Sequence, residues 1–134
     1  MPDYVLDTSA ILALFTNEPG AARVEELLLA ARQPDGDVGV LVPFMTTMEV
    51  EYVAWRRFGR AVAGHWLAVM SAWPVAVVES DEAWRREAAR LKATHRLSVA
   101  DAWIASLATL HDATLVHKDP EYDAIAGLKA EALG

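Results

Sequence analysis

At 134 residues the chain has the length of one domain, residues 1–134, enough to bury roughly two-thirds of the surface it exposes when unfolded. An apolar fraction of 54% without low-complexity tracts excludes a disordered chain, and the absence of cysteine excludes disulfides, thiolate metal sites and cysteine nucleophiles. The net charge of −7 argues against a protein that coats nucleic acid through an overall basic surface.

In chain order, Tyr4 to Leu6 predicts a short buried strand and Ala10 to Phe15 the helix after it. Pro19-Gly20 breaks that helix, and Ala21 to Arg32 begins another with Val24, Leu27 and Leu28 on one face. A turn-rich loop from Gln33 to Gly39 leads to a second strand, Val40 to Val42, stopped by Pro43. Thr46 or Thr47 is expected to cap a helix running to Phe58, with Gly59 at its end. Arg60 to Ala72 reads as helix, Val75 to Val78 as a third strand, and Asp81 to His95 as a helix with Trp84, Ala88 and Leu91 in phase. Ser98 to His111 gives another helix, Thr114 to His117 a fourth strand, and Leu128 to Leu133 a candidate fifth.

Short apolar strands alternating with amphipathic helices predict a three-layer α/β fold, a parallel sheet of about five strands covered by helices on both faces. No stretch approaches the ~20 apolar residues that cross a bilayer. The first apolar run has no basic region before it and is interrupted by Asp7, so no targeting signal is expected. Together with the missing cysteines this points to a cytoplasmic protein without a membrane partner.

Ligands of open parallel sheets gather beyond the carboxyl ends of the strands. Asp7 sits there after the first strand, and Asp119 after the fourth, in TLVHKDPEYD. Each acid also has a purely structural explanation. Asp7 in LDTS can cap a helix, Ser98 and Asp101 in LSVADAWI resemble a capping box, and Asp119 precedes a proline as an N-cap residue does. Glu49 is harder to explain, because its helical neighbours Met45, Tyr52 and Val53 place it on an apolar arc. A charge there is costly unless it is paired or bound to a metal. Brought to one end of one sheet, Asp7, Glu49, Asp101 and Asp119 would repel unless a cation neutralised them. An all-oxygen set without histidine or cysteine spacing suits Mg²⁺ or Mn²⁺ rather than zinc. His65, His95 and His111 form no metal-binding spacing.

Charge is unevenly spread. Val53 to Ser98 carries eight basic and four acidic residues, a net +4, against −11 elsewhere. Arg56, Arg57, Arg85, Arg86 and Arg90 are candidate contacts for a nucleic-acid backbone, with solvated helix faces as the alternative.

DTSAILALFTNEPG, EVEYVAW, LSVADAWIASLA and ATLVHKDPEYDAIAGL, in that order over nearly the whole chain, resemble the PIN domain family, specifically VapC-type toxins of bacterial toxin–antitoxin pairs. The resemblance implies a metal-dependent endoribonuclease with Mg²⁺ or Mn²⁺ as cofactor and products ending in 5′-phosphate and 3′-hydroxyl. It also implies a homodimer silenced by a cognate antitoxin that covers the acidic cleft. The family's acidic positions match Asp7, Glu49, Asp101 and Asp119, and its small hydroxyl positions match Thr8 and Ser9. The pattern after the fourth strand often reads LVTxDxxF. Here His117 stands for the threonine, Tyr122 for the phenylalanine, and Glu121 where many members carry a further aspartate. His117 is either a proton relay or a packed strand-end residue. Trp55, Trp66, Trp73, Trp84 and Trp103 are interface anchors or core, and the periodicity around Trp84 and Trp103 favours core.

Two further functions compete. A receiver-like phosphoacceptor domain would need paired acids near the first strand and a late lysine, whereas only Asp3 and Asp7 lie early, four residues apart, and no convincing late lysine partner is present. A haloacid dehalogenase-type phosphatase would need an aspartate where Ser9 stands. A non-catalytic acidic interaction module is the remaining alternative.

Overall fold

The computed structural model describes residues 2–134. Five strands alternate with helices: β1 (Asp3–Leu6), α1 (Thr8–Phe15), α2 (Ala21–Arg32), β2 (Gly39–Pro43), α3 (Thr46–Phe58), α4 (Arg60–Met70), β3 (Ala76–Val78), α5 (Glu82–Thr94), α6 (Val99–Leu110), β4 (Thr114–His117) and β5 (Ala130–Ala132). A 3-10 turn, Pro120–Ala124, joins the last two strands. Every pairing is parallel and the order is β3-β2-β1-β4-β5. The expected three-layer α/β architecture is therefore the one observed.

The two-residue period of the strands divides the interior. Val5 and Leu115, register partners, face a core built with Trp84, Leu91, Leu97 and Ile104 from the α5–α6 layer. Leu6 and Val116, the next partners, face a second core with Ile11, Val24, Val50, Ala54 and Trp66 from α1 to α4. At the sheet edges, β3 and β5 are only three residues long, which limits the unpaired backbone they present. Among the described residues no helix is long and apolar enough to cross a membrane.

This strand order fixes where a ligand can sit. The chain runs outward from β1 through β2 to β3, then returns to lay β4 on the other side of β1. The order reverses between β1 and β4, and the connections diverge to leave a crevice at their carboxyl ends. Asp7 follows β1 and donates its backbone N–H to Val116 O of β4 at 3.0 Å.

Two local expectations differ from what is observed. Neither Thr46 nor Thr47 caps α3; Met45 holds the cap position without a side-chain bond, and Thr46 Oγ1 is buried without a partner. The buried stripe of α3 is Thr46, Val50 and Ala54, so Tyr52, expected on the inward arc, is 41% exposed. Glu49 lies beside that stripe and is half-buried rather than interior. Trp66 and Trp84 are buried, Trp73 and Trp103 pack partly buried against the two cores, and Trp55 is exposed.

Candidate active site

Asp7 is buried at the start of α1. One carboxylate oxygen, Oδ2, accepts from the backbone N–H of Ser9 at 3.0 Å, which is a helix cap, and from the Ser9 hydroxyl as well. Ser9 Oγ in turn accepts the backbone N–H of Lys118 at 2.9 Å, so the ends of β1 and β4 are tied through one hydroxyl. The other oxygen of Asp7, Oδ1, faces the Tyr122 hydroxyl at 2.7 Å.

Asp101 occupies the first turn of α6. Its backbone N–H donates to Ser98 Oγ at 3.0 Å, half of the expected capping box. The reciprocal half is missing, because the carboxylate turns to Tyr122, with Oδ1 3.0 Å from the phenol oxygen. Burial pushes the Asp101 carboxyl up to about 7; the Tyr122 bond opposes the rise, and the charges of Asp7 and Asp119 add to it. The Tyr122 phenol is driven far above its ordinary range, first by burial and then by the two carboxylates.

Asp119 caps the 3-10 turn, its Oδ1 accepting the N–H of Glu121 at 2.9 Å with Pro120 first in the turn. Its own backbone N–H donates to His117 Nδ1 at 3.0 Å. That bond puts the neutral ring's proton on Nε2, which is buried without a partner. His117 is 1% exposed, with the Tyr122 ring edge-on at 4.9 Å. It is a packed strand-end histidine.

Glu49 is reached from α1, where the Thr8 hydroxyl donates to its Oε1 at 2.8 Å. Burial raises the Glu49 pKa, the Thr8 bond lowers it, and the charge of Asp7 raises it further. The acids at this end of the sheet are linked unequally, three of them directly and two through intervening hydroxyls. Asp101, Asp119 and Glu121 each offer a carboxylate oxygen within 4.8 Å of the others, close enough for one cation. Asp7 joins Asp101 through Tyr122, and Glu49 joins Thr8 one residue from Asp7.

No basic side chain among the described residues pairs with these acids. Lys118, adjacent to Asp119 in sequence, turns outward to Glu18 at 3.3 Å and Pro19 O at 3.1 Å. Closely spaced oxygens, half-burial, a raised carboxyl and no counter-charge make a donor set that fits a hard divalent ion.

The arginines separate into two groups. On α5, Arg86 pairs with Glu82 at 2.7 Å and Arg90 with Glu87 at 2.5 Å; Arg85 lines a shallow hollow with Ala88, Ala102 and Trp103. At the α3–α4 junction Arg56 lies over Tyr52, Arg57 over Phe58 and Arg60 over Trp55, each 5.1–5.3 Å from the ring. None of these three makes an ion pair among the described residues. An apolar groove lined by Phe44, Met45, Met48, Tyr52, Val99 and Trp103 opens beside Glu49. Its outer members Met48, Tyr52 and Val99 are exposed, as are Trp55 and Phe58 farther along α3.

Sequence reading missed the Tyr122 hydroxyl as a member of the site. Its only signal was a tyrosine where the resembling pattern has phenylalanine.

A family model described as the PIN domain matches residues 4–128. No curated protein matches the chain in sequence. Among solved structures, the VapBC2 complex of Rickettsia felis, bound to a DNA fragment from its promoter, matches with a TM-score of 0.78 at 17% identity, covering 98% of this chain and 99% of that one. VapBC-1 of nontypeable Haemophilus influenzae matches with a TM-score of 0.72 at 22% identity, covering 97% of each chain. VapC20 of Mycobacterium tuberculosis, described as a sarcin-ricin loop cleaving toxin, matches at 0.71 and 19% identity, over 93% of this chain and 95% of that one.

Proposed function

Because the chain belongs to the PIN domain family, we propose that it is a divalent-metal-dependent endoribonuclease and the toxin of a toxin–antitoxin pair. One observation carries this reading: three carboxylate oxygens, from Asp101, Asp119 and Glu121, lie within 4.8 Å of one another without a basic side chain to offset them.

Asp101, Asp119 and Glu121 would hold Mg²⁺ or Mn²⁺, with Asp7 beside them. When bound, the ion supplies Lewis-acid activation of water and offsets charge on the phosphoryl oxygens. The protein's own groups do the rest. Ser9 and Tyr122 fix both oxygens of Asp7. Thr8 fixes Oε1 of Glu49, and the raised pKa of this acid makes it a better proton acceptor than an exposed glutamate. We assign Glu49 to orient the attacking water and take its proton. His117 holds the backbone at Asp119 and takes no proton from the reaction.

Arg56, Arg57 and Arg60, unpaired with acids, are the backbone contacts this geometry favours, and their aromatic neighbours offer stacking surface to single-stranded bases. Arg86 and Arg90 are engaged on their own helix, so these two are the weaker candidates. The groove beside Glu49 and the exposed Trp55 and Phe58 support a cognate antitoxin and a second copy of the chain as partners.

Lys118, the lysine next to Asp119 in sequence, turns to Glu18 and Pro19 O, which gives the receiver-like alternative no support. The test is a cleavage assay on total cellular RNA with Mg²⁺ or Mn²⁺, an EDTA control and mapping of the ends. Metal-dependent cuts leaving 5′-phosphate are expected. Intact RNA together with binding of a protein partner would favour a non-catalytic interaction module.

A further inference from the structure

Tyr122 is 1% exposed, and its ring completes the core of the α5–α6 layer, edge-on to His117. A phenylalanine ring would fill the same space, so packing gives no reason for the hydroxyl. A buried hydroxyl is costly unless it is hydrogen-bonded. Here both of its neighbours are carboxylates, carried by different elements: Asp7 Oδ1 at the start of α1, 2.7 Å away, and Asp101 Oδ1 in the first turn of α6, 3.0 Å away. The single O–H can donate to only one of these oxygens at a time, and it lies between two acids that would otherwise face each other.

The same side chain reaches a third acid at one remove. Its ring edge packs on His117, whose Nδ1 accepts the backbone N–H of Asp119. Three acids distant in sequence are thus referenced to one buried residue. We propose that the Tyr122 hydroxyl is a positioning group for the candidate metal site, holding Asp7 and Asp101 at a fixed spacing before an ion arrives. The inference rests on the metal-binding reading above. Donors of this kind orient ligands that would otherwise spread apart by repulsion, so the ion meets a preset site.

The experiment is a titration of Mn²⁺ alone, without RNA, into the full chain and into Tyr122→Phe, following free Mn²⁺ by electron paramagnetic resonance. With far-UV circular dichroism unchanged, the variant is expected to bind Mn²⁺ about 10-fold more weakly or worse. Equal or tighter binding by the variant overturns the positioning role while leaving the metal site standing, even if its melting temperature falls. Wild-type protein that binds no Mn²⁺ removes both. Should Tyr122→Phe not fold, the wild-type chain labelled with ¹³C at tyrosine Cζ serves instead. Saturating Mg²⁺ is expected to move the Tyr122 resonance and leave that of Tyr4 in place, and an unmoved Tyr122 resonance overturns the proposal.

Discussion

Helix α5 and the carboxyl end of the sheet both carry acidic side chains, and they accommodate them in opposite ways. On the outer side of α5, Glu82 and Glu87 each meet an arginine one turn along the same helix. Arg90 holds the Glu87 carboxyl below its ordinary range. At the end of the sheet the donors to the acids are neutral: Ser9 to Asp7, Thr8 to Glu49, and Tyr122 between Asp7 and Asp101. Burial there pushes Asp101 the other way, up to about 7. The first region has neutralised its charge locally. In the second, folding has gathered acids without basic partners, the arrangement on which the proposed metal site rests.

The sharpest way to break this comparison is Asp101→Asn. It is expected to abolish saturable Mn²⁺ binding and to lower RNA cleavage by more than about 10²-fold. Activity near wild type would remove Asp101 from the mechanism. Glu49→Gln separates roles within the acidic region: cleavage should fall by about 10²-fold while Mn²⁺ affinity changes little. Loss of both would make Glu49 a ligand.

Stability against pH gives a smaller, signed effect. Asp101 has a folded-state pKa of about 7, above its ordinary value. Between that ordinary value and 7 the folded chain binds the extra proton, so wild type in EDTA loses stability as pH rises through this window. Asp101→Asn lacks that loss, and its melting temperature should gain on wild type from pH 4 to pH 7. A constant difference would contradict the raised carboxyl. The smallest effect belongs to α5. Removing Arg86 by alanine substitution should leave the melting temperature within about 2 °C and the salt dependence of RNA binding unchanged. Alanine at Arg56 and Arg60 should flatten that dependence by about 0.7 for each phosphate left without its arginine.

Much of this was legible in the chain, for local reasons. Asp7, Ser98 and Pro120 declare helix starts through local chemistry, two by side-chain caps and one by its ring, and apolar runs ending at Leu6 and His117 place Asp7 and Asp119 at strand ends. The Arg86–Glu82 pair, four residues apart on α5, is likewise local. What was not legible depends on tertiary placement. Tyr52 shares the helical phase of Glu49, yet it points outward because the layer beneath α3 is filled by Thr46, Val50 and Ala54. The Tyr122 hydroxyl reaches acids 115 and 21 residues away, a pairing no spacing rule can reveal.

The most direct test of uncompensated acids awaiting a cation is the proton count on Mn²⁺ binding, read by calorimetry in buffers of different ionisation enthalpy. At pH 6 the account predicts saturable binding with release of about one proton, falling toward zero by pH 8.5. Absence of binding, or binding without proton release at pH 6, would contradict it.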